Sequence, residues 1–288
     1  MQRRSFFTLC LGALASVLLA GPAAAVPPLT VGLIPAEDSQ AMLENSKAVI
    51  DSLQQQLGIP VKPFIATDYN GIIEALRSRK LDVAYLGPFS YVLASSVANV
   101  EAFAVAETKK SGRSFYKSLI ITRKESGLQS LEQLKGRTMA FVDPSSASGH
   151  LFPSAGLQKL NIDPNKYFSR VIFSGSHDAS ILAVANKKVD AAAVADRILA
   201  AAVAKGVVQQ SELNVVWTSP DIPESPMVWR KDLDPALKQK IAAAFASIKD
   251  VKWGDQGVLN GFVLTTDGAY DVVRETAKIL NLDLKAMK

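Results

Sequence analysis

The chain has 288 residues, 48% of them hydrophobic and 20% charged, with a formal charge of +5, one cysteine and two histidines. Lys and Arg alternate with acids along it, so no nucleic-acid surface is expected, and one cysteine with two histidines excludes a structural zinc site and a disulfide framework. The length exceeds what one core usually organises, so two lobes are expected.

The first 25 residues have the layout of a secretory signal. Arg3 and Arg4 precede an apolar run over 6–20, and Ala23, Ala24 and Ala25 offer the expected cleavage point after Ala25. Cleavage removes Cys10 and lowers the charge from +5 to +3, the loss of two arginines. Arg3-Arg4-Ser5 also resembles the twin-arginine export pattern, and the route, Sec or twin-arginine, stays open. Either route implies a periplasmic protein, and no later run is long enough to span a bilayer.

From residue 29 onward, short apolar runs alternate with helical periodicity. Strands are predicted over 29–34, 61–66 and 83–86, with helices over 41–57 and 69–79 between them, a βαβαβ arrangement on a parallel sheet. Gly87-Pro88 starts another helix through residue 94, and 102–106 and 116–122 are extended. The pattern then restarts with strands over 138–142, 170–173, 189–195 and 215–217, and helices over 149–160, 178–187 and 197–204. An extended piece over 227–230 and helices over 235–249 and 270–280 close the chain. These elements predict an α/β fold with lobes over 26–117 and 118–229, crossings near 116–121 and 227–230, and closing helices over 230–288. The cleft between the lobes is the expected functional site.

The segment Asp143-Pro144-Ser145-Ser146-Ala147-Ser148-Gly149-His150 places three hydroxyls and a glycine where a strand hands over to a helix. The first turn of a helix leaves N–H groups without intrahelical partners at the positive end of its dipole, so hydroxyls and amides there converge on an oxyanion. A serine cap with no ligand fits the same residues. Further polar groups follow other strands: Tyr69, His177 and Asp196.

At this point the sequence resembles the periplasmic substrate-binding proteins of phosphonate and phosphite ABC transporters. The resemblance rests on six blocks in order: Ala66-Thr67-Asp68-Tyr69, Asp82-Val83-Ala84-Tyr85-Leu86-Gly87-Pro88, the serine segment, Gly175-Ser176-His177-Asp178, Leu182-Ala183-Val184-Ala185-Asn186-Lys187, and Pro226-Met227-Val228-Trp229-Arg230. It implies a type II periplasmic binding protein fold, two Rossmann-like lobes joined by a two-strand hinge, and a monomer that passes a small phosphorus oxyanion to a membrane permease. No cofactor, metal or enzymatic activity is implied. The resemblance assigns ligand contacts to Tyr69, Tyr116, Ser146, Ala147, Ser148, His177 and Asp196. Ala147 stands where the family usually has a threonine, which removes one hydroxyl, and Ser225 stands where aminoalkyl-binding members tend to have an acid, a place the adjacent Glu224 could take. Phosphite and methylphosphonate are therefore expected ahead of aminoethylphosphonate. An Asp196 carboxylate would favour a protonated P–OH, and an anion beside His177 would favour its charged form.

Two other readings compete. A sensory binding protein would use the same cleft. A hydrolase built on Ser148 or Ser90 with His177 and Asp178 lacks the Gly-x-Ser-x-Gly elbow, and neighbouring His177 and Asp178 diverge at a helix start.

Overall fold

The computed structural model describes residues 27–109 and 115–287; the signal segment expected over 1–25 lies outside them. In chain order the first half supplies β1 (Leu29–Leu33), α1 (Ser39–Leu57), β2 (Val61–Ile65), α2 (Tyr69–Arg77), β3 (Val83–Tyr85), α3 (Pro88–Val97), β4 (Val100–Thr108), β5 (Phe115–Tyr116), β6 (Ser118–Arg123) and β7 (Thr138–Phe141). Then come a π turn (Ala147–Leu151), α4 (Phe152–Lys159), α5 (Pro164–Tyr167), β8 (Arg170–Phe173), α6 (His177–Ala185), β9 (Ala191–Ala195), α7 (Asp196–Ala204) and β10 (Leu213–Thr218). The chain closes with β11 (Ile222–Pro223), β12 (Pro226–Arg230), α8 (Pro235–Ser247), β13 (Lys252–Trp253), β14 (Gly257–Leu264) and α9 (Asp271–Ile279).

Local chemistry fixes the helix starts. Asp38 caps α1 by accepting from Ala41 N at 3.0 Å, Asp68 caps α2 through Gly71 N at 2.8 Å, and Ser176 caps α6 through Ala179 N at 3.3 Å. α1 ends on Gly58, whose φ of 66° returns its N–H to Gln54 O, the left-handed stop that glycine makes without strain.

The strands form two main sheets. The first lobe has the order β13-β14-β4-β12-β3-β1-β2, the second β10-β6-β9-β7-β8. Each is built on three parallel strands, β2-β1-β3 and β8-β7-β9, extended by an antiparallel strand that arrives from a crossing: β12 beside β3, and β6 beside β9. The crossings themselves are β5 and β11, a two-stranded antiparallel ribbon pairing Tyr116 with Ile222 and Phe115 with Pro223.

Two boundaries move as a result. The return crossing lies at 222–223, and 226–230 is a strand of the first sheet, so the second lobe does not run to 229. The outward crossing is 115–116, with Ser118 already paired to Ala195. Met227 and Val228 are fully buried between β3 and β4, a setting that suits an apolar run better than an exposed connector does. Among the described residues, β13 and β14 lie in a stretch where the sequence predicted no element. Trp253 of β13 is nevertheless a large buried side chain, edge-on to Tyr85 at 5.4 Å between centroids.

The lobes meet across the cleft. His177 N donates to Ala36 O at 2.9 Å, Ser90 Oγ to Ser145 O at 3.0 Å, and Tyr69 N to Asp143 Oδ2 at 3.4 Å, each bond joining one lobe to the other.

Candidate functional site

The serine segment is built by one proline and one glycine. Ser146 is the N-cap, accepting from Gly149 N at 3.0 Å, and the first turn is a π turn closed by Leu151 N to Ser146 O at 3.0 Å. Pro153 has no N–H, so it cannot return a bond to the Ser148 or Gly149 carbonyl. Those two carbonyls are satisfied from outside the helix, by Ser118 Oγ at 2.5 Å and Val142 N at 3.0 Å, which staples the turn to β6 and to the end of β7. Gly149 permits the approach: a Cβ there would lie 2.4 Å from Val142 Cβ.

The same geometry leaves donors free. Ala147 N and Ser148 N make no hydrogen bond to any described residue, whereas Ser145 N and Ser146 N are held by Asp143. The Ser146 hydroxyl, which only accepts, keeps its hydrogen for a further acceptor. Ser146, Ala147 and Ser148 are all buried, so these donors are shielded from solvent at a helix N-terminus.

Around this turn the structure gathers most of the residues expected from the sequence. Tyr69 starts α2 in the first lobe, is 1% exposed, and its hydroxyl bonds to none of the described residues. Burial, with Asp143 and Asp255 nearby, pushes its phenol well above the ordinary range, so it stays a neutral donor. Tyr116, on the outward crossing, bonds the Ser148 side chain, and burial likewise raises its phenol. His177 is 4% exposed, and its Nδ1 accepts from Ala195 N at 3.1 Å, which leaves Nε2 as the N–H donor. Burial foremost, then Arg197, push its pKa down to about 3. The expectation of a charged His177 is thereby corrected: protonating Nδ1 would break the Ala195 bond inside a dry site.

Asp196 is differently placed. Its Oδ1 accepts from Arg197 N at 2.7 Å and from Lys117 N at 3.1 Å, tying the start of α7 to the crossing, while Oδ2 bonds none of the described residues. It lines a cavity of about 130 Å³ with Tyr116, Arg197 and Glu224. His150, to which the sequence gave no role, binds Pro144 O through Nδ1 at 3.0 Å and sits edge-on between Phe141 and Phe173.

The sequence missed the charged part of the cleft. Arg197, the residue after Asp196, reaches from the second lobe to the Asp255 carboxylate and to Ser225 Oγ at 3.3 Å, with Nε 3.5 Å from Glu224 Oε2. Its guanidinium lies over the Tyr116 ring, 4.6 Å from the centroid. Tyr85 Oη donates to Asp255 Oδ1 at 2.5 Å and accepts from Gln256 Nε2 at 2.7 Å, so Tyr85 belongs to this cluster and not to an inert core. Glu224, beside Ser225, and the run Asp196-Arg197 hinted at it; the partners of Arg197 lie 27 to 58 positions further on.

Neutral donors on a helix N-terminus, with a histidine of the same lobe, a tyrosine on the crossing and a tyrosine of the other lobe across a two-strand hinge, define a two-lobed type II periplasmic binding protein. The chain belongs to the family described as ABC transporter, phosphonate, periplasmic substrate-binding protein, which it matches over residues 31–270. It is 35% identical over 217 residues to a phosphonates-binding periplasmic protein of Escherichia coli, a stretch covering 74% of this chain and 64% of that one. It is 30% identical over 273 residues to a phosphate-import protein of Mycolicibacterium smegmatis, covering 87% of this chain and 85% of that one. Among solved structures, a binding protein component of an ABC phosphonate transporter from Pseudomonas aeruginosa superposes with a TM-score of 0.79 at 32% identity, covering 87% of this chain and 85% of its own. A protein from Prochlorococcus marinus, solved with methylphosphonate, shares the fold with a TM-score of 0.78 at 22% identity, covering 88% and 98%.

Proposed function

We propose that this protein is the periplasmic solute-binding component of an ABC importer and captures a small phosphorus oxyanion between its lobes, phosphite or methylphosphonate ahead of aminoethylphosphonate. The observation that carries the reading is the pair of free amides, Ala147 N and Ser148 N, buried at a helix N-terminus with the Ser146 hydroxyl beside them. The proposed ligand contacts are Tyr69, Tyr116, Ser146, Ala147, Ser148, His177 and Asp196. Tyr69, Tyr116 and His177 donate without charge, and the free Oδ2 of Asp196 accepts from a protonated P–OH. Contacts drawn from both lobes favour the closed state, so the ligand drives hinge bending at β5 and β11, and a membrane permease receives the closed monomer.

Hydrolysis finds no support in the geometry. A relay needs a carboxylate on the histidine, but His177 Nδ1 faces Ala195 N, and Asp178 Oδ1 accepts from Ser176 Oγ at 2.5 Å.

Calorimetric titration with phosphite, methylphosphonate, phosphate and sulfate tests the reading. Binding of phosphite or methylphosphonate below millimolar concentration, tighter than sulfate, is expected; no phosphorus oxyanion binding in that range would refute it.

A further inference from the structure

A pair of carboxylates in a water-poor cleft is the chemistry that captures an ammonium group. Glu224 and Asp255 form such a pair, their side chains 3% and 1% exposed. Each is held in place: Glu224 Oε2 accepts from Gln256 Nε2 at 3.0 Å, and Asp255 Oδ1 from Tyr85 Oη at 2.5 Å. Yet Asp255 is already engaged, and Glu224 is approached by the same cation. The Arg197 guanidinium bonds Asp255, approaches Glu224 and leans on Tyr116, and it is a cation that proteins do not deprotonate.

We propose that Arg197 decides which ligand tail the cleft accepts: its guanidinium occupies the acidic corner that a ligand's ammonium would need, so the site takes phosphorus oxyanions with no tail or a neutral one and turns away aminoalkyl phosphonates. The inference rests on the oxyanion reading of the cleft. A ligand ammonium brought to this corner would meet the guanidinium beside the two carboxylates, so most of the attraction that an unoccupied acid pair would offer it is already offset by a like charge.

The unmade bonds agree. Arg197 Nε and Gln256 Oε1 are buried without a hydrogen-bond partner among the described residues, one donor and one acceptor on either side of the Glu224 carboxylate. An ammonium, which only donates, would leave Nε unmet, whereas a neutral hydroxyl can accept from Nε or donate to Oε1. Arg197 comes from the second lobe and its acids from the first sheet and the return crossing, so the corner is filled as the lobes close.

The test is calorimetric titration of the purified protein with methylphosphonate and 2-aminoethylphosphonate. The wild type is expected to prefer methylphosphonate by at least about thirtyfold. Arg197→Gln, and the charge-balanced Arg197→Gln/Asp255→Asn, are expected to shift that ratio at least about tenfold toward 2-aminoethylphosphonate. Wild-type affinities within about threefold of each other, or a folded variant with an unchanged ratio, overturn the proposal while leaving the oxyanion reading intact. Should neither variant fold, the wild-type ratio alone decides. Binding of phosphite but of neither phosphonate by the wild type overturns this proposal alone; binding of no phosphorus oxyanion, phosphite included, overturns the oxyanion reading itself, and this proposal with it.

Discussion

Ala147 and Ser148 show how little side chain an oxyanion site requires. Ala147 has no hydroxyl but keeps its backbone amide, and that amide is free because the first position of a helical turn has no intrahelical acceptor and the Ser146 cap bond goes to Gly149 N. Ser148 has two ties, its carbonyl to Ser118 Oγ and its side chain to Tyr116, so it holds the crossing against the anion turn. Ser148→Ala keeps the carbonyl tie and removes the hydroxyl. Loss of a hydrogen bond to a charged acceptor costs about 1.5 to 3 kcal/mol, so methylphosphonate affinity should fall about tenfold or more, and the melting temperature should fall as well because the same hydroxyl bonds the buried Tyr116. Equal affinities in wild type and variant, by calorimetry, would remove the hydroxyl from the site.

At the scale of elements, the anion turn exists because Pro153 withholds a bond and Gly149 lets β7 come close. Gly149→Ala places a methyl 2.4 Å from Val142 Cβ, and overpacking of this kind costs about 1 to 3 kcal/mol. The urea midpoint should drop accordingly, and an unchanged midpoint would show that the turn relaxes freely. The parallel cores of both lobes were legible because their strands are short, mostly apolar runs set between capped helices. β14 was not: Val258, Val263 and Leu264 are exposed at 43%, 39% and 80%, and a register shift falls between Leu259 and Gly261, so no clean alternation survives in the sequence. The anion turn was legible for the same local reason as the cores, since cap, hydroxyls and glycine are neighbours in sequence. The Arg197 cluster was not, because what makes its guanidinium a cleft residue is Glu224 and Asp255, contributed by distant loops.

For the whole molecule, closure brings ionisable groups of both lobes together, and this leaves a signature in pH. Glu37, 7% exposed in the turn after β1, lies with Oε2 3.8 Å from Lys205 Nζ of α7. Burial foremost, then the Asp255 and Asp178 charges, outweigh Lys205 and Arg197 and push its pKa up from 4.5 to about 7. A raised carboxyl pKa means that the folded state holds a proton the unfolded chain releases. The resulting destabilisation is absent below pH 4.5, grows as pH rises toward 7 and is constant above it, reaching about 3 kcal/mol. Glu37→Gln should therefore gain stability over wild type progressively across that interval, measured by urea unfolding at pH 4.5, 6 and 8. A stability difference that does not vary with pH would show that Glu37 ionises normally.

The central claim is that the oxyanion sits on the free amides of the anion turn and is enclosed by neutral donors from both lobes. A crystal structure of the protein with methylphosphonate tests it most directly. The account predicts phosphonate oxygens about 2.7 to 3.1 Å from Ala147 N and Ser148 N, with Tyr69 Oη and His177 Nε2 completing the shell and the methyl group toward Arg197. A bound methylphosphonate that leaves both amides without a ligand oxygen would contradict it.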